Sequence, residues 1–172
     1  MGHFRRDRAR LLALLIWVDQ YQKGEVPQKK LIFKDYISSF PFINNWDLID
    51  SSAPVIVGEH LLSQGDKNLL YKWAKAKNLW SRRIAVLATL AFIRSGEFHE
   101  TLRLCEILLE DREDLIHKAT GWMLREIGKQ NLVVLRQFLD KNLSKMPRTM
   151  LRYAIEKFPP KLRLQYLKTP ST

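Results

Sequence analysis

Asp50 is the residue of this 172-residue chain whose position most needs a chemical explanation. It follows Trp46 by one helical turn in Asn44-Asn45-Trp46-Asp47-Leu48-Ile49-Asp50, on a stripe of Trp46, Ile49, Asp50 and Ala53. A carboxylate on an apolar stripe is costly to bury unless it is paired or put to use. Asp47 is different. With an Asn ahead of it as N-cap, it stands in a first helical turn, where the macrodipole favours a negative charge. Asp50 therefore does chemistry, meets an internal Arg, or caps a neighbouring element.

Three cationic groups could act with it. In Asn78-Leu79-Trp80-Ser81-Arg82-Arg83-Ile84-Ala85, Arg83 shares a face with Leu87 and Leu90, while Arg82 faces Ala85, Val86 and Thr89. An Arg on such a stripe pairs with a carboxylate, leans over a groove towards an anion, or snorkels outward. Lys118, Trp122, Arg125 and Lys129 recur at helical spacing, cations interrupted by an indole. That combination suits phosphates and the flat face of a sugar or base, although a buried Trp beside solvated cations would read the same way. Arg148 and Arg152 share one face of Met146-Pro147-Arg148-Thr149-Met150-Leu151-Arg152, with Pro147 read as the first helical residue.

The elements that must hold these residues are helical, because apolar positions recur at helical spacing almost everywhere. The pattern predicts helices at about 4–22, 28–39, 45–52, 54–63, 66–77, 79–95, 97–110, 113–128, 131–143, 147–157 and 160–168. Gly24 and Pro27 separate the first two, and Pro41 closes the second. Pro54 starts a new helix or kinks the old one. Gly65-Asp66, Gly96 and Gly128 mark predicted ends. Leu79, Leu115 and Leu151 open comparable helices 36 residues apart, with Arg82 and Lys118, Ala85 and Gly121, and Val86 and Trp122 in register behind the first two. The spacing suggests stacked helix–turn–helix repeats, with a plain bundle as the alternative. Either way the chain is expected to be all-α.

Charge adds a partner class. The net charge is +11, and residues 115–172 carry 12 basic against 3 acidic side chains, while residues 97–114 carry 7 acidic against 2 basic. A field of one sign over a third of the chain points to a polyanion or to a solvated basic face. Other chemistries are excluded by pattern. The four histidines show no metal-ligand spacing, and neither a Gly-rich phosphate loop nor a nucleophile elbow occurs. A single cysteine excludes a disulfide framework, and Cys105 among Leu102, Leu104 and Leu108 reads as core. The longest apolar run has 8 residues, whereas about 20 span a bilayer. The basic residues before it imitate a signal peptide, but Asp19, Gln20 and Tyr21 stand where small cleavage-site residues belong. The expected compartment is the reducing cytoplasm.

Four segments in order, NNWDLIDS at 44–51, LWSRRIA at 79–85, KATGWMLRE at 118–126 and MPRTMLRYAIEK at 146–157, resemble the AlkD-like DNA alkylation repair proteins, with similarity from about Arg8 to Leu167. The resemblance implies a single domain, 1–172, folded as a curved α-helical solenoid of HEAT-like repeats with duplex DNA on its basic concave face. It further implies a DNA glycosylase acting on N3- or N7-alkylated purines, with Asp50 as the catalytic carboxylate and Trp46 and Trp122 bordering the lesion's deoxyribose. Arg83 takes the phosphate, with Arg82 as the register alternative, and Lys118, Arg125, Lys129, Arg148 and Arg152 complete the DNA contacts. Members usually carry further helices before the point where this chain begins, so the chain is a short member or lacks those N-terminal repeats.

The expected partner is double-stranded DNA containing alkylated bases, bound by a monomer without cofactor, metal or membrane. Two other classes stay open. A non-catalytic helical-repeat module for DNA or RNA would use the same basic stripe and make Asp50 structural. A scaffold for acidic proteins would scatter its cations over a convex side.

Overall fold

The computed structural model describes the backbone of residues 2–63 and 66–168, with side chains from residue 8 onward. Gly65, one of the predicted helix ends, lies outside the described residues. Every regular element among the described residues is helical. Backbone packing divides the chain into two compact units, Met1–Ala91 and Phe92–Thr172.

In the first unit, α1 (Gly2–Lys23) and α2 (Val26–Ser38) are followed by a 3-10 turn at Phe40–Phe42. Then comes the run that carries Asp50: α3 (Trp46–Ala53), a π-helical stretch (Pro54–Glu59) and α4 (His60–Ser63). The expectation of two separate helices over 45–52 and 54–63 is corrected here, because helix continues through Pro54. Proline has no N–H for the carbonyl of Asp50, four residues back, and its ring would crowd that oxygen. Widening to π geometry accommodates it without ending the helix. Then α5 (Asn68–Ala74) and α6 (Leu79–Arg94) follow, with α6 running over the boundary between the units.

Gly58 explains how the π stretch packs. A Cβ there would collide with the Ala88 carbonyl oxygen and stand 2.9 Å from the Ala91 methyl, so only glycine lets α6 come this close. Around that contact Leu48, Ile49, Ile56, Ile84 and Leu87 are fully buried. The start of α6 is fixed by Asn78, whose side-chain oxygen accepts from the backbone N–H of Trp80 (2.7 Å) and Ser81 (3.3 Å).

The second unit holds α7 (His99–Ile107), α8 (Asp114–Gln130), α9 (Leu132–Asn142), a 3-10 turn (Leu143–Lys145), α10 (Arg148–Ala154) and α11 (Pro160–Lys168). Gly96 ends α6 as expected, at φ +83°, with Gly96 N–H donating to Ile93 and Glu97 N–H to Phe92. This is the left-handed glycine termination that satisfies the last carbonyls. Gly128, by contrast, lies inside α8, packed on Leu135. Pro147 is the N-cap of α10 rather than its first residue. Leu79 opens α6 and Leu115 stands second in α8, but Leu151 is buried in the middle of α10, so the 36-residue register does not extend to a third helix start. Gly121 gives α8 and α10 their close approach, since a Cβ there would stand 2.6 Å from the Cβ of Tyr153. Cys105 is completely buried, and burial pushes its thiol well above the ordinary range, as suits a core residue.

Candidate functional site

Helix α3 presents Trp46 and Asp50 on one face, a turn apart. Asp47 steadies its start: the carboxylate accepts from the Leu48 backbone N–H at 2.8 Å, whereas Asn45, at the N-cap, makes no capping bond with its side chain. On the opposite side, the hydroxyls of Ser52 and Tyr36 share a buried hydrogen bond of 2.9 Å that ties α3 to α2. Burial, with a contribution from the negative charge of Asp50, raises the Tyr36 phenol far above its usual value, so it stays neutral. Trp46 is thereby left 54% exposed, an uncommon state for so large an apolar ring.

Asp50 meets Arg83 of α6. The guanidinium donates through Nε to Oδ1 at 2.9 Å and through Nη2 to Oδ2 at 2.7 Å, a two-pronged pair of the strong, directional kind. Arg83 is almost fully buried, at 6% side-chain exposure, while Asp50 keeps 17%. The carboxylate is held from behind and still reaches solvent. Arg82 turns the other way, donating through Nη1 to the carbonyls of Ala76 and Lys77 just before α6. Together with the Asn78 cap, that anchor fixes where α6 begins, and so where Arg83 points.

Trp122 lies in the second unit, on α8. Its indole N–H donates to Glu126 Oε1 at 3.0 Å, and Lys129 donates to both oxygens of Glu126 at 2.7 and 2.9 Å. Arg125 bonds Glu156, and Lys118 bonds Asp114 at 2.8 Å, with the Lys118 hydrogen bond and then that of Thr149 holding the Asp114 carboxyl below the usual range. Three cations of the expected stripe are thus matched by three carboxylates. Arg148 reaches the Leu167 carbonyl at 2.6 Å, and Arg152 is exposed.

The structure therefore brings Asp50 and Arg83 together, places Trp46 one turn before Asp50, and puts Trp122, Lys118, Arg125, Lys129, Arg148 and Arg152 in the other unit. Sequence reasoning missed Glu126, although its spacing of four from Trp122 and three from Lys129 was a readable signal. Glu156, 31 residues from Arg125, carried none. Among the described residues no three metal-ligating side chains form a group, and no helix is long and apolar enough to cross a membrane.

Residues 7–158 match the sequence model of a family described as DNA alkylation repair enzyme. No curated protein and no solved structure matches the chain.

Proposed function

The chain belongs to the DNA alkylation repair enzyme family, and on that premise we propose that it is a DNA glycosylase hydrolysing the bond between deoxyribose and an N3- or N7-alkylated purine. One observation carries the reading: a carboxylate with solvent access, clamped by an Arg and one turn from an exposed indole. Alkylation makes the base cationic, so it leaves with the bonding electron pair as a neutral molecule and needs no general acid. Positive charge develops on the sugar. Asp50 stabilises it and positions the water whose oxygen bonds to the anomeric carbon, the water's proton passing to solvent. The Trp46 face offers electron density to the same cation. Arg83 orients the carboxylate through both oxygens. The role of Trp122 as a second indole against the sugar rests on the family resemblance, as does the reading of the helical pairs as HEAT-like repeats. Lys118, Arg125, Lys129, Arg148 and Arg152, with Arg82, supply phosphate contacts in this reading, and the substrate is alkylated duplex DNA.

The Asp50–Arg83 pair also favours a second reading, a non-catalytic DNA- or RNA-binding module in which both groups only join α3 to α6. Asp50→Asn separates the two, since it keeps shape and removes charge. The glycosylase reading expects release of 7-methylguanine from methylated duplex DNA to fall by roughly two to three orders of magnitude, about 3–4 kcal/mol, with DNA affinity unchanged or higher. Full release by a folded Asp50→Asn protein would falsify the catalytic role of Asp50. A fall in activity only in proportion to a lower melting temperature makes Asp50 structural, whereas the module expects DNA binding with no release by the unaltered chain.

A further inference from the structure

The second unit holds a pocket that the proposed reaction does not use. It has a volume of about 250 Å³ and lies where α8 ends, α9 begins and the chain passes from α10 into α11. Leu135, Ala154 and Phe158 give it a buried apolar floor. The charged side chains that line it are Arg125, Lys129 and Lys157, all of one sign.

These cations have partners, and the count decides what charge is left over. Lys129 donates to both oxygens of Glu126, at 2.7 and 2.9 Å, and Glu126 stands 3.8 Å from Arg125 Nε. Glu156 accepts from Arg125 Nη1 and lies 3.5 Å from Lys157, longer than an ordinary N–H···O bond. Three positive charges thus share two negative ones, and neither carboxylate lines the pocket. Arg125 Nε is buried and makes no hydrogen bond, a cost that an acceptor beside it would remove.

We propose that this pocket binds a small amphiphilic monoanion, with its apolar body on the floor and its carboxylate between Lys129 and Lys157. A cavity of about 150 Å³ accepts benzene, so this one admits a body of about ten non-hydrogen atoms rather than a helix or a folded partner. One negative charge cancels the excess; a neutral molecule leaves it in place. A bare phosphodiester supplies charge but nothing to cover Leu135, Ala154 and Phe158. The site itself is independent of the glycosylase reading. Only one consequence rests on that reading: Arg125 and Lys129 are phosphate contacts there, so the bound anion competes with DNA.

The experiment titrates octanoate into the purified chain and follows the methyl resonances of Leu132, Leu135 and Leu162, which line the pocket. Acetate supplies the charge without the body, and 1-octanol the body without the charge. Saturable shifts are expected with octanoate, at an affinity about tenfold or more above either control, as one charge-assisted contact gives. The double variant Lys129→Gln/Lys157→Gln should lose that advantage and keep its weak hold on 1-octanol. Lys161→Gln, at an exposed cation outside the lining, should change neither. Lys129 and Lys157 are largely exposed, so a melting temperature within a degree or two checks that the double variant is folded. Absence of saturable shifts overturns the proposal, as does equal affinity for octanoate and 1-octanol, or octanoate binding that the double variant retains in full. Octanoate binding that leaves DNA affinity unchanged keeps the pocket and removes Arg125 and Lys129 from the phosphate contacts. A fall in DNA affinity as the pocket fills supports both.

Discussion

At the scale of single residues, the decisive contact is the two-pronged bond between Asp50 and Arg83. It gives Arg83 a duty other than a direct phosphate contact, because a guanidinium with 6% exposure has little surface left for a polyanion. Arg83→Ala should therefore lower excision more than it lowers DNA affinity. The expected loss in kcat/KM is about 1.5–3 kcal/mol, the range for a hydrogen bond to a charged group. Arg83→Lys keeps the charge but not the fork, so it should fall between the two. Equal losses in affinity and excision would return Arg83 to the phosphate. If Arg82→Ala alone weakens affinity, the neighbouring guanidinium makes the contact, despite its bonds to Ala76 and Lys77.

At the scale of elements, α3 owes its position to the π stretch that continues it. That stretch places Gly58 against α6, so Gly58→Ala must push α6 away by moving backbone rather than a side-chain tip. Overpacking of this kind costs about 1–3 kcal/mol. The variant should melt lower, and excision by its folded fraction should also fall, because α6 carries Arg83. Unchanged activity per folded molecule would uncouple that contact from the site. The end of the same stretch makes a second prediction. His60 stacks on Phe33 with ring centroids 3.9 Å apart. Burial, and then the charge of Lys30, lowers its imidazole below the ordinary value. Since the folded chain disfavours the protonated form, His60 favours folding fully above about pH 6.5, and that share is lost as pH falls through 6.5 towards the lower folded-state value. His60→Phe keeps a stacked ring and removes the titration. Its melting temperature should gain on the unaltered chain between pH 7.5 and 5.5; a constant difference would show that His60 carries none of the acid sensitivity.

Across the whole molecule, the formal excess of 9 positive charges in residues 115–172 already subtracts Glu156 and Glu126, the partners of Arg125 and Lys129, so only the pairing of Lys118 with Asp114, which lies just before that segment, reduces it further. DNA binding should be insensitive to sequence and fall steeply between about 50 and 200 mM salt, through counterion release. Glu156→Gln removes one of the two carboxylates beside Arg125, leaving the longer 3.8 Å contact with Glu126, and should raise affinity while steepening the log–log salt slope by up to about 1, whereas Arg152→Ala should flatten it by about 1. A slope that neither substitution moves would place the phosphate contacts elsewhere.

The all-helical class was readable from apolar spacing, because that signal is local and survives without knowledge of neighbours. Asp50 and Arg83 each stood out alone, as a charge on an apolar stripe. Their pairing did not, since 33 residues separate them and a stripe says only which face turns inward. The Gly96 termination was legible from one residue type; the glycine at 58 was not, because the carbonyl that excludes a side chain there comes from another helix. Pro54 read as a new helix start or a kink since its local cost is plain, and tertiary packing kept the helix running through a π turn. The basic stripe on α8 had the same weakness: its cations were visible, but Glu156, which neutralises one of them, lies on the segment that α10 brings alongside. Chemical type and face were decided by the sequence itself. Which groups meet, and how much charge remains exposed, was decided only when the helices packed.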